Sequence, residues 1–191
     1  MSGPPATAVR VFETPLGRIG VVATARGLAR VMLPNEVARC LPVAGTATRC
    51  AEGSRPCRPR LNDSAAGRRA AAHAARAERE IRAYLSGRRR TFGVPLDLAG
   101  VPPFRRKVLR AARRIPYGAT ATYAEVARRA GNPRAARAAG QAMAHNPLAL
   151  VVPCHRVVAS GGGLGGFGGG LALKRRLLAL EAGRPRRGVT P

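Results

Sequence analysis

One stretch limits the possible folds more than any other part of the chain: residues 122–145, TYAEVARRAGNPRAARAAGQAMAH. Thr122 and Glu125 have the spacing of a capping box, in which a hydroxyl and a carboxylate satisfy the first backbone N–H groups of a helix. This helix is expected to end at Gly131. Asn132 is a good N-cap and the proline after it suits a first helical position, so a second helix is predicted to start at once and to continue to the end of the stretch. Two helices with so short a connection predict a helix-turn-helix.

The second of these helices carries arginines among small side chains. Small residues let a helix backbone come close to the wall of a nucleic-acid groove, while a long arginine projects from the helix. The residues concerned are Arg134, Ala136, Arg137, Ala138 and Gly140. An ordinary alanine-rich packing helix has the same composition, and this segment alone leaves both interpretations open.

The N-terminal part of the chain predicts a separate unit with a small sheet. Three apolar-rich runs predict a small antiparallel sheet, at residues 9–14, 19–24 and 28–33. A helix is predicted at 70–86 and a further strand at 91–98. Between 34 and 69 the chain is rich in Pro, Gly, Ala, Arg and Cys without a sustained period, which predicts a long surface loop or partial disorder.

These elements together predict an α/β protein with two domains. The first is an α/β domain at residues 1–100, built on the small antiparallel sheet. The second is a mainly α-helical domain at 101–185, which contains the helix-turn-helix and is followed by a basic tail at 186–191. An apolar pattern of helical spacing from Phe104 to Ile115 adds a helix at the start of the second domain.

The charge and the apolar content of the chain indicate where the protein is expected to act and what it is expected to bind. The chain has 34 basic and 9 acidic residues and a net charge of +25, which favours polyanions, nucleic acid first. Biased codon usage is the alternative interpretation of this arginine excess, so the charge alone favours DNA binding only weakly. The chain contains no long apolar run and no charged N-terminal segment that precedes one, so we expect a soluble cytoplasmic protein with no membrane partner.

Three of the four cysteines lie in the Pro/Arg-rich stretch, at Cys40, Cys50 and Cys57. Their spacing contains no C-x-x-C pair, which disfavours a zinc site even though His73 could complete a set of four ligands. We expect free thiols and no bound metal.

The fourth cysteine, Cys154, follows an apolar run at residues 148–152. Pro153 biases the residue before it to an extended conformation, so Cys154 and His155 are expected to leave a buried segment. A free thiol has a pKa of about 8.5 and needs a nearby base before it can attack carbon. The residues alone leave two interpretations open, an inert core thiol or a nucleophile.

Glu181 is the last acidic residue of the chain, and no other follows Glu125. It lies among basic residues, at Lys174, Arg175, Arg176 and Arg184. A single carboxylate in so basic a segment indicates a specific partner, and a surface ion pair with one of these neighbours is the simpler alternative.

The segment PCHRVV at residues 153–158 resembles the active-site motif of the O6-alkylguanine-DNA alkyltransferases, and Asn146-Pro147 stands at the matching distance before it. The similarity extends over about 80 residues. It includes IPYG at 115–118, TY at 122–123, GNP at 131–133, ARA at 136–138, GGL at 169–171, Lys174, LL at 177–178 and Glu181. A looser similarity covers the TPLG segment at 14–17 and Gly27-Leu28.

The resemblance implies a role for each residue of the site. Cys154 is the nucleophile that accepts the alkyl group, His155 is its base through a water molecule, and Glu181 orients His155. Tyr123 stabilises the departing base. Two further residues support the site, Asn146 structurally and Lys174 as an auxiliary that polarises Tyr123 or the guanine.

The same resemblance implies how DNA is bound. The second helix of the helix-turn-helix enters the minor groove, and Arg137 occupies the space that the extruded nucleotide leaves, with Arg134, Ala136, Ala138 and Gly140 beside it. The guanine pocket is formed by Val157, Phe167 and Gly168. Phe167 stands where relatives commonly have tyrosine, and Gly168 where some have serine, so we hypothesise a roomier pocket that accepts larger alkyl groups.

The function implied is direct, stoichiometric repair of O6-alkylguanine, and of O4-alkylthymine, in double-stranded DNA (EC 2.1.1.63). By resemblance the N-terminal domain is ribonuclease H-like and the C-terminal domain winged-helix-like. The protein is expected to act as a monomer, in the nucleoid if it is bacterial, without a cofactor or small-molecule donor. The alternatives are a non-catalytic protein that recognises alkylated DNA and recruits other repair factors, and a cysteine peptidase or acyltransferase.

Overall fold

The computed structural model describes residues 6–40, without the side chain of Cys40, and residues 64–183. The chain divides into two compact units. The first comprises residues 1–99 together with 147–149, and the second comprises residues 100–146 and 150–191. The segment 147–149 therefore belongs to the first unit, although it falls within the predicted C-terminal domain at 101–185.

The first unit is a three-stranded sheet covered by a helix. Strands β1 (Thr7–Phe12), β2 (Ile19–Thr24) and β3 (Gly27–Met32) pair antiparallel in sequence order. Helix α2 (Ala65–Leu85) packs on β1 and β2. Its buried stripe contains three alanines at helical spacing, Ala70, Ala74 and Ala77, which let the helix lie close to the apolar face of β2, and Ile81 continues the stripe. The predicted antiparallel sheet is confirmed.

Two predictions for this unit were wrong in part. The predicted loop at 34–69 contains helix α1 (Pro34–Cys40) at its start, with Glu36 in the first turn. At its other end α2 begins at Ala65 rather than at residue 70, because the Ser64 side chain accepts a hydrogen bond from the backbone of Gly67 as an N-cap. Residues 41–63, with Cys50 and Cys57, lie outside the described residues.

The strand predicted at 91–98 does not form. Leu96 makes a single parallel bridge to Leu28, and the residue before it is a proline. The backbone N–H groups of Gly93 and Val94 donate to the buried carboxylate of Glu80, at 2.8 and 3.1 Å. A side chain thus satisfies the donors that a strand would have used in a sheet.

The second unit is mainly helical. It contains α3 (Pro103–Arg113), α4 (Tyr123–Arg129), α5 (Ala136–Ala144) and α6 (Leu171–Glu181). A single 3-10 turn (Cys154–Arg156) leads into β5 (Val157–Val158), which pairs in parallel with β4 (Ala121–Thr122). The α/β class, with a small antiparallel sheet and a helical C-terminal part, is confirmed.

The capping box at the start of α4 is confirmed, with Thr122 and Glu125 each hydrogen-bonded to the backbone of the other. Helix α5, in contrast, begins three residues later than the Asn132 N-cap predicts, at Ala136 rather than at Pro133, with no side-chain cap at Ala135. The Ala135 N–H donates to the Asn132 carbonyl at 3.1 Å, so this segment closes a separate turn before the helix begins. Arg134 therefore lies in this turn, and Arg137 lies in the first turn of α5.

In the part of the chain that the structure describes, no helix is both long and apolar enough to span a membrane.

Candidate active site

The chain enters the site through a strained turn. Leu150 is fully buried and has a φ of 71°, in the left-handed region that costs a non-glycine residue roughly 1–2 kcal/mol. The burial of its side chain offsets that cost. Residues 148–157 are all buried, so the apolar run brings Cys154 inside the second unit as its sequence predicts.

Cys154 is a buried thiol whose sulfur faces hydrogen-bond donors. Burial raises the pKa of the thiol, while a hydrogen bond from the Asn146 side chain, backbone hydrogen bonds and the charge of Lys174 act in the opposite direction. The amide of Asn146 also donates to the Val152 carbonyl at 2.9 Å, which ties the ends of the entering turn together. The resting sulfur is protonated, but the groups around it favour an anion once a base removes the proton.

His155 is placed to be that base. Its Nε2 lies 3.0 Å from Oε1 of Glu181, and both side chains are buried. Because a carboxylate only accepts hydrogen bonds, Nε2 carries the proton and Nδ1 is left as the basic nitrogen. Burial lowers the pKa of His155, against the opposing effect of Glu181, so the imidazole is neutral near pH 7.

Arg156 is the residue that the sequence analysis missed. Its Nε and Nη2 donate to the two carboxylate oxygens of Glu181 at 2.8 to 3.1 Å. Its Nη1 donates to the Ile115 carbonyl at 2.6 Å, and its guanidinium carbon lies 5.7 Å from the centre of the Tyr117 ring. The simpler alternative for Glu181, a surface ion pair within its own segment, is therefore wrong, because Glu181 is buried against Arg156.

A signal for this pair was present in the sequence. Arg156 follows an apolar run, and a buried arginine needs a carboxylate partner. Glu181 is the one acidic residue after Glu125, so it was the nearest candidate in that part of the chain.

Lys174 contacts the glycine-rich segment at residues 160–170, which we call the glycine loop. The side chain is fully buried, and its ammonium donates to the carbonyls of Val157 at 2.6 Å, Leu164, and Gly166 at 3.3 Å. An ammonium has three N–H donors, and these three carbonyls match them in number. Burial lowers the pKa of Lys174, and the Cys154 anion would oppose that shift.

Tyr123, the first residue of α4, lies between two glycines. A Cβ on Gly165 would be 2.8 Å from the Tyr123 hydroxyl and 3.0 Å from Cε2, whereas one on Gly140 would meet the ring at an ordinary 3.8 Å. Burial raises the pKa of Tyr123, and a hydrogen bond from the Gly166 backbone opposes that shift. The glycine loop thus packs directly on the Tyr123 hydroxyl.

The remaining predicted residues fall into two groups. Val157 is buried beneath the loop, and the Phe167 ring lies edge-on to His155 at 6.4 Å. Gly168 is exposed, and a Cβ there would meet no atom within 4 Å. The residues predicted to contact the DNA minor groove lie on or near the surface. Arg134, Arg137 and Ala138 are exposed, and Ala136 and Gly140 are half-buried.

No three His, Cys, Asp or Glu side chains gather as a metal site would need within residues 6–40 and 64–183. The side chain of Cys40 and residues Cys50 and Cys57 lie outside this part, so the prediction that they are free thiols remains a prediction.

Comparison with known proteins places these features in one family. Residues 103–183 match the family described as "6-O-methylguanine DNA methyltransferase, DNA binding domain". A protein of Mycolicibacterium paratuberculosis named methylated-DNA--protein-cysteine methyltransferase is 52% identical over 102 residues, which span 53% of this chain and 61% of the relative. A protein of the same name from Methanosarcina acetivorans is 46% identical over 105 residues, 55% of this chain and 67% of its own length. The chain thus spans less than two thirds of the M. paratuberculosis relative.

Solved structures extend the likeness to nearly the whole chain. The structure of Mycobacterium tuberculosis OGT in complex with DNA matches with a TM-score of 0.71 at 33% identity, over 94% of this chain and 95% of that one. The O6-methylguanine-DNA methyltransferase of Pyrococcus kodakaraensis matches with a TM-score of 0.52 at 22% identity, over 92% and 98%, and shows the same fold.

Proposed function

The chain belongs to the 6-O-methylguanine DNA methyltransferase family, and on that premise we propose that it repairs DNA by moving the alkyl group of O6-alkylguanine onto the sulfur of Cys154. One observation carries the proposal. A buried thiol faces the Asn146 amide and the charge of Lys174, and the residue after it is a neutral imidazole that is hydrogen-bonded to a buried carboxylate. An inert core thiol needs none of these groups.

The proposed reaction begins with the proton of the thiol. Nδ1 of His155 takes this proton through a water molecule, and Glu181 stabilises the imidazolium that forms. Asn146 and Lys174 stabilise the sulfur anion. The anion then attacks the alkyl carbon, the C–S bond forms, and the bond from that carbon to O6 breaks with its electron pair passing to the guanine.

Tyr123 completes the proton balance. The leaving guanine must gain one proton on its ring, and the hydroxyl of Tyr123 donates it. The proton held by His155 replaces the one that Tyr123 gave, so the net transfer is from the thiol to the guanine. The products are unmodified guanine and an S-alkylcysteine. Because a thioether does not revert to a thiol, each molecule reacts once, and the chemistry needs no cofactor or second donor.

The target base must leave the duplex to reach Cys154, at a cost of a few kcal/mol. We propose that α5 lies in the minor groove and that Arg137 fills the space left in the base stack, because its long side chain is exposed among small residues. The glycine loop then bounds the pocket, with Val157, Phe167 and Gly168 lining it. We further propose a monomer that acts in the cytoplasm, on the nucleoid in a bacterium.

The test is a mass measurement on the unaltered protein. Incubation with duplex DNA that contains O6-methylguanine, followed by proteolysis, should add one methyl group to the peptide that carries Cys154. The peptides with Cys40, Cys50 and Cys57 serve as internal controls. An unchanged Cys154 peptide in protein that binds the DNA would favour the recognition-only alternative. A parallel duplex with O4-methylthymine tests the wider substrate range.

Gly165→Ala should slow alkyl transfer by roughly tenfold to a hundredfold, because displacing the Tyr123 hydroxyl loses part of the roughly hundredfold or more that a positioned proton donor contributes. Its methyl group would stand 2.8 Å from the Tyr123 hydroxyl, and the backbone has a φ of 66° that disfavours any side chain. Single-turnover rates are the measurement. Gly161→Ala is the matched control, since a Cβ there meets no atom within 4 Å. Equal rates in both variants would exclude a positioning role for Gly165.

Arg137→Ala should slow transfer from duplex DNA by roughly ten- to a hundredfold, because the flipped state loses about 1–3 kcal/mol of stabilisation. Transfer from a single-stranded oligonucleotide with the same lesion should change little, since no base pair has to open. Arg110→Ala, an exposed residue of α3 with the same change in charge, controls for general weakening of DNA binding. If transfer from the duplex and from the single strand slows equally, Arg137 contributes to DNA affinity rather than to base extrusion.

A further inference from the structure

The carboxylate of Glu181 has two effects on His155, and they oppose each other in the proposed reaction. It must orient His155, which it does through one hydrogen bond to Nε2. Its negative charge, however, raises the pKa of the imidazole that it holds. A histidine paired in isolation with a buried carboxylate tends to hold its proton, and a protonated imidazole cannot accept the proton of a thiol.

Arg156 lies where its positive charge reduces the effect of the Glu181 charge on the imidazole. Its guanidinium contacts both oxygens of Glu181, and Oε1 accepts from Arg156 and His155 together. Both charges are buried, so their attraction is only weakly screened by solvent. Arg156 lowers the pKa of His155, in the direction opposite to Glu181.

The guanidinium is itself held in place on its other side. Its Nη1 donates to the Ile115 carbonyl, and the group lies over the Tyr117 ring. The turn at residues 115–118 is joined to Glu181 a second time, because the Gly118 N–H donates to Oε2 at 3.1 Å. The carboxylate is therefore fixed from two directions before it meets the imidazole.

The other charged groups near His155 do not offset Glu181 in the same way. Lys174, from α6, also lowers the pKa of the imidazole, but its ammonium donates to carbonyls of the glycine loop and of Val157. The Cys154 thiol is neutral at rest. From the 115–118 turn, the Tyr117 hydroxyl donates to the Leu180 carbonyl at 3.3 Å.

We propose that Arg156 is a positioning residue of the transfer reaction: it holds Glu181 in place and balances its charge, so that His155 stays an uncharged imidazole able to accept the thiol proton. The role rests on the proposed alkyl transfer. Arg156 touches neither the sulfur nor the base that is repaired, and it acts through Glu181 and His155.

The first test uses the unaltered protein and no DNA. The chain has three histidines, and single His73→Gln and His145→Gln variants assign the remaining ring signals to His155 in nitrogen-detected NMR spectra. The ring should be neutral at pH 7 with its proton on Nε2. An imidazolium at pH 7 would overturn the proposal, and this result does not depend on whether the protein transfers alkyl groups.

The second test is the pH dependence of the single-turnover transfer rate in Arg156→Gln. Without the guanidinium, only burial and Lys174 oppose the Glu181 charge, and the pKa of His155 rises. The acidic limb of the rate profile should therefore move to higher pH by about one unit, with a matching shift in the NMR titration. Arg110→Gln, an exposed arginine of α3, makes the same change in net charge and should leave the limb in place.

Arg156→Lys covers the case in which loss of the charge prevents folding. A lysine retains a buried positive charge but does not span both carboxylate oxygens, so a smaller shift in the same direction is expected. If Arg156 had only a structural role, its substitution would lower the melting temperature and leave the acidic limb of the rate profile at the same pH. An unmoved limb in whichever variant folds would overturn the proposal. Failure of the unaltered protein to methylate Cys154 would instead refute the proposed function.

Discussion

Cys154→Ser should remove no detectable alkyl group from DNA, a loss of at least roughly a thousandfold in rate. A serine hydroxyl ionises far less readily than a thiol, and the neutral imidazole of His155 is too weak a base to remove its proton. The Asn146 amide and the charge of Lys174 would then face an uncharged oxygen in place of the sulfur anion that they stabilise. The measurement is methyl transfer from labelled duplex DNA under single-turnover conditions.

Binding and folding should survive this substitution, which separates it from a general loss of structure. Serine is close to cysteine in volume, so the buried site is not emptied. The melting temperature and the affinity for DNA with the lesion are the controls. Methyl removal at the normal rate would show that Cys154 is not the acceptor and would remove the basis of the proposed function. Intact binding without transfer is also the behaviour that a recognition-only protein would show with its cysteine in place.

Lys174→Met should lower the transfer rate by about a hundredfold or more, the effect of removing a preorganised donor. The substitution keeps the length of the side chain but leaves the carbonyls of Val157, Leu164 and Gly166 without their ammonium donor. A buried acceptor left unsatisfied costs about 1–3 kcal/mol. The glycine loop should loosen, and with it the Gly166 contact to the Tyr123 hydroxyl. The sulfur anion also loses the favourable charge of Lys174.

Arg175→Met is the matched control, because its position is the next one on α6 and its side chain is exposed. It loses one positive charge and should keep both the rate and the stability of the unaltered protein. Hydrogen exchange at residues 160–170 measures the loop directly, and it should become faster in Lys174→Met alone. If the loop exchanges as before and the rate still falls, Lys174 acts on the sulfur or the guanine rather than through the loop.

Local patterns predicted the regular elements well where the physics is local. Apolar-rich runs specified the three strands, and the Thr122–Glu125 spacing specified the start of α4, since a capping box is complete within one helical turn. The same kind of signal failed at Asn132, where the Ala135 N–H closes a separate turn on the Asn132 carbonyl and α5 begins only after it. It failed again at residues 91–98, where the carboxylate of Glu80, more than ten residues away, takes the backbone donors.

The sequence by itself identified the candidate nucleophile and its immediate context: a cysteine after an apolar run, a histidine beside it, and a motif that resembles one family. Only the tertiary structure decided how those residues are set to react. Arg156 is the neighbour of His155 in the chain. Its guanidinium is nevertheless linked to the imidazole through Glu181, which comes 25 positions later and is hydrogen-bonded to both side chains. Such a relation depends on which charges share a buried space, because solvent no longer screens them there, and no spacing along the chain encodes that arrangement.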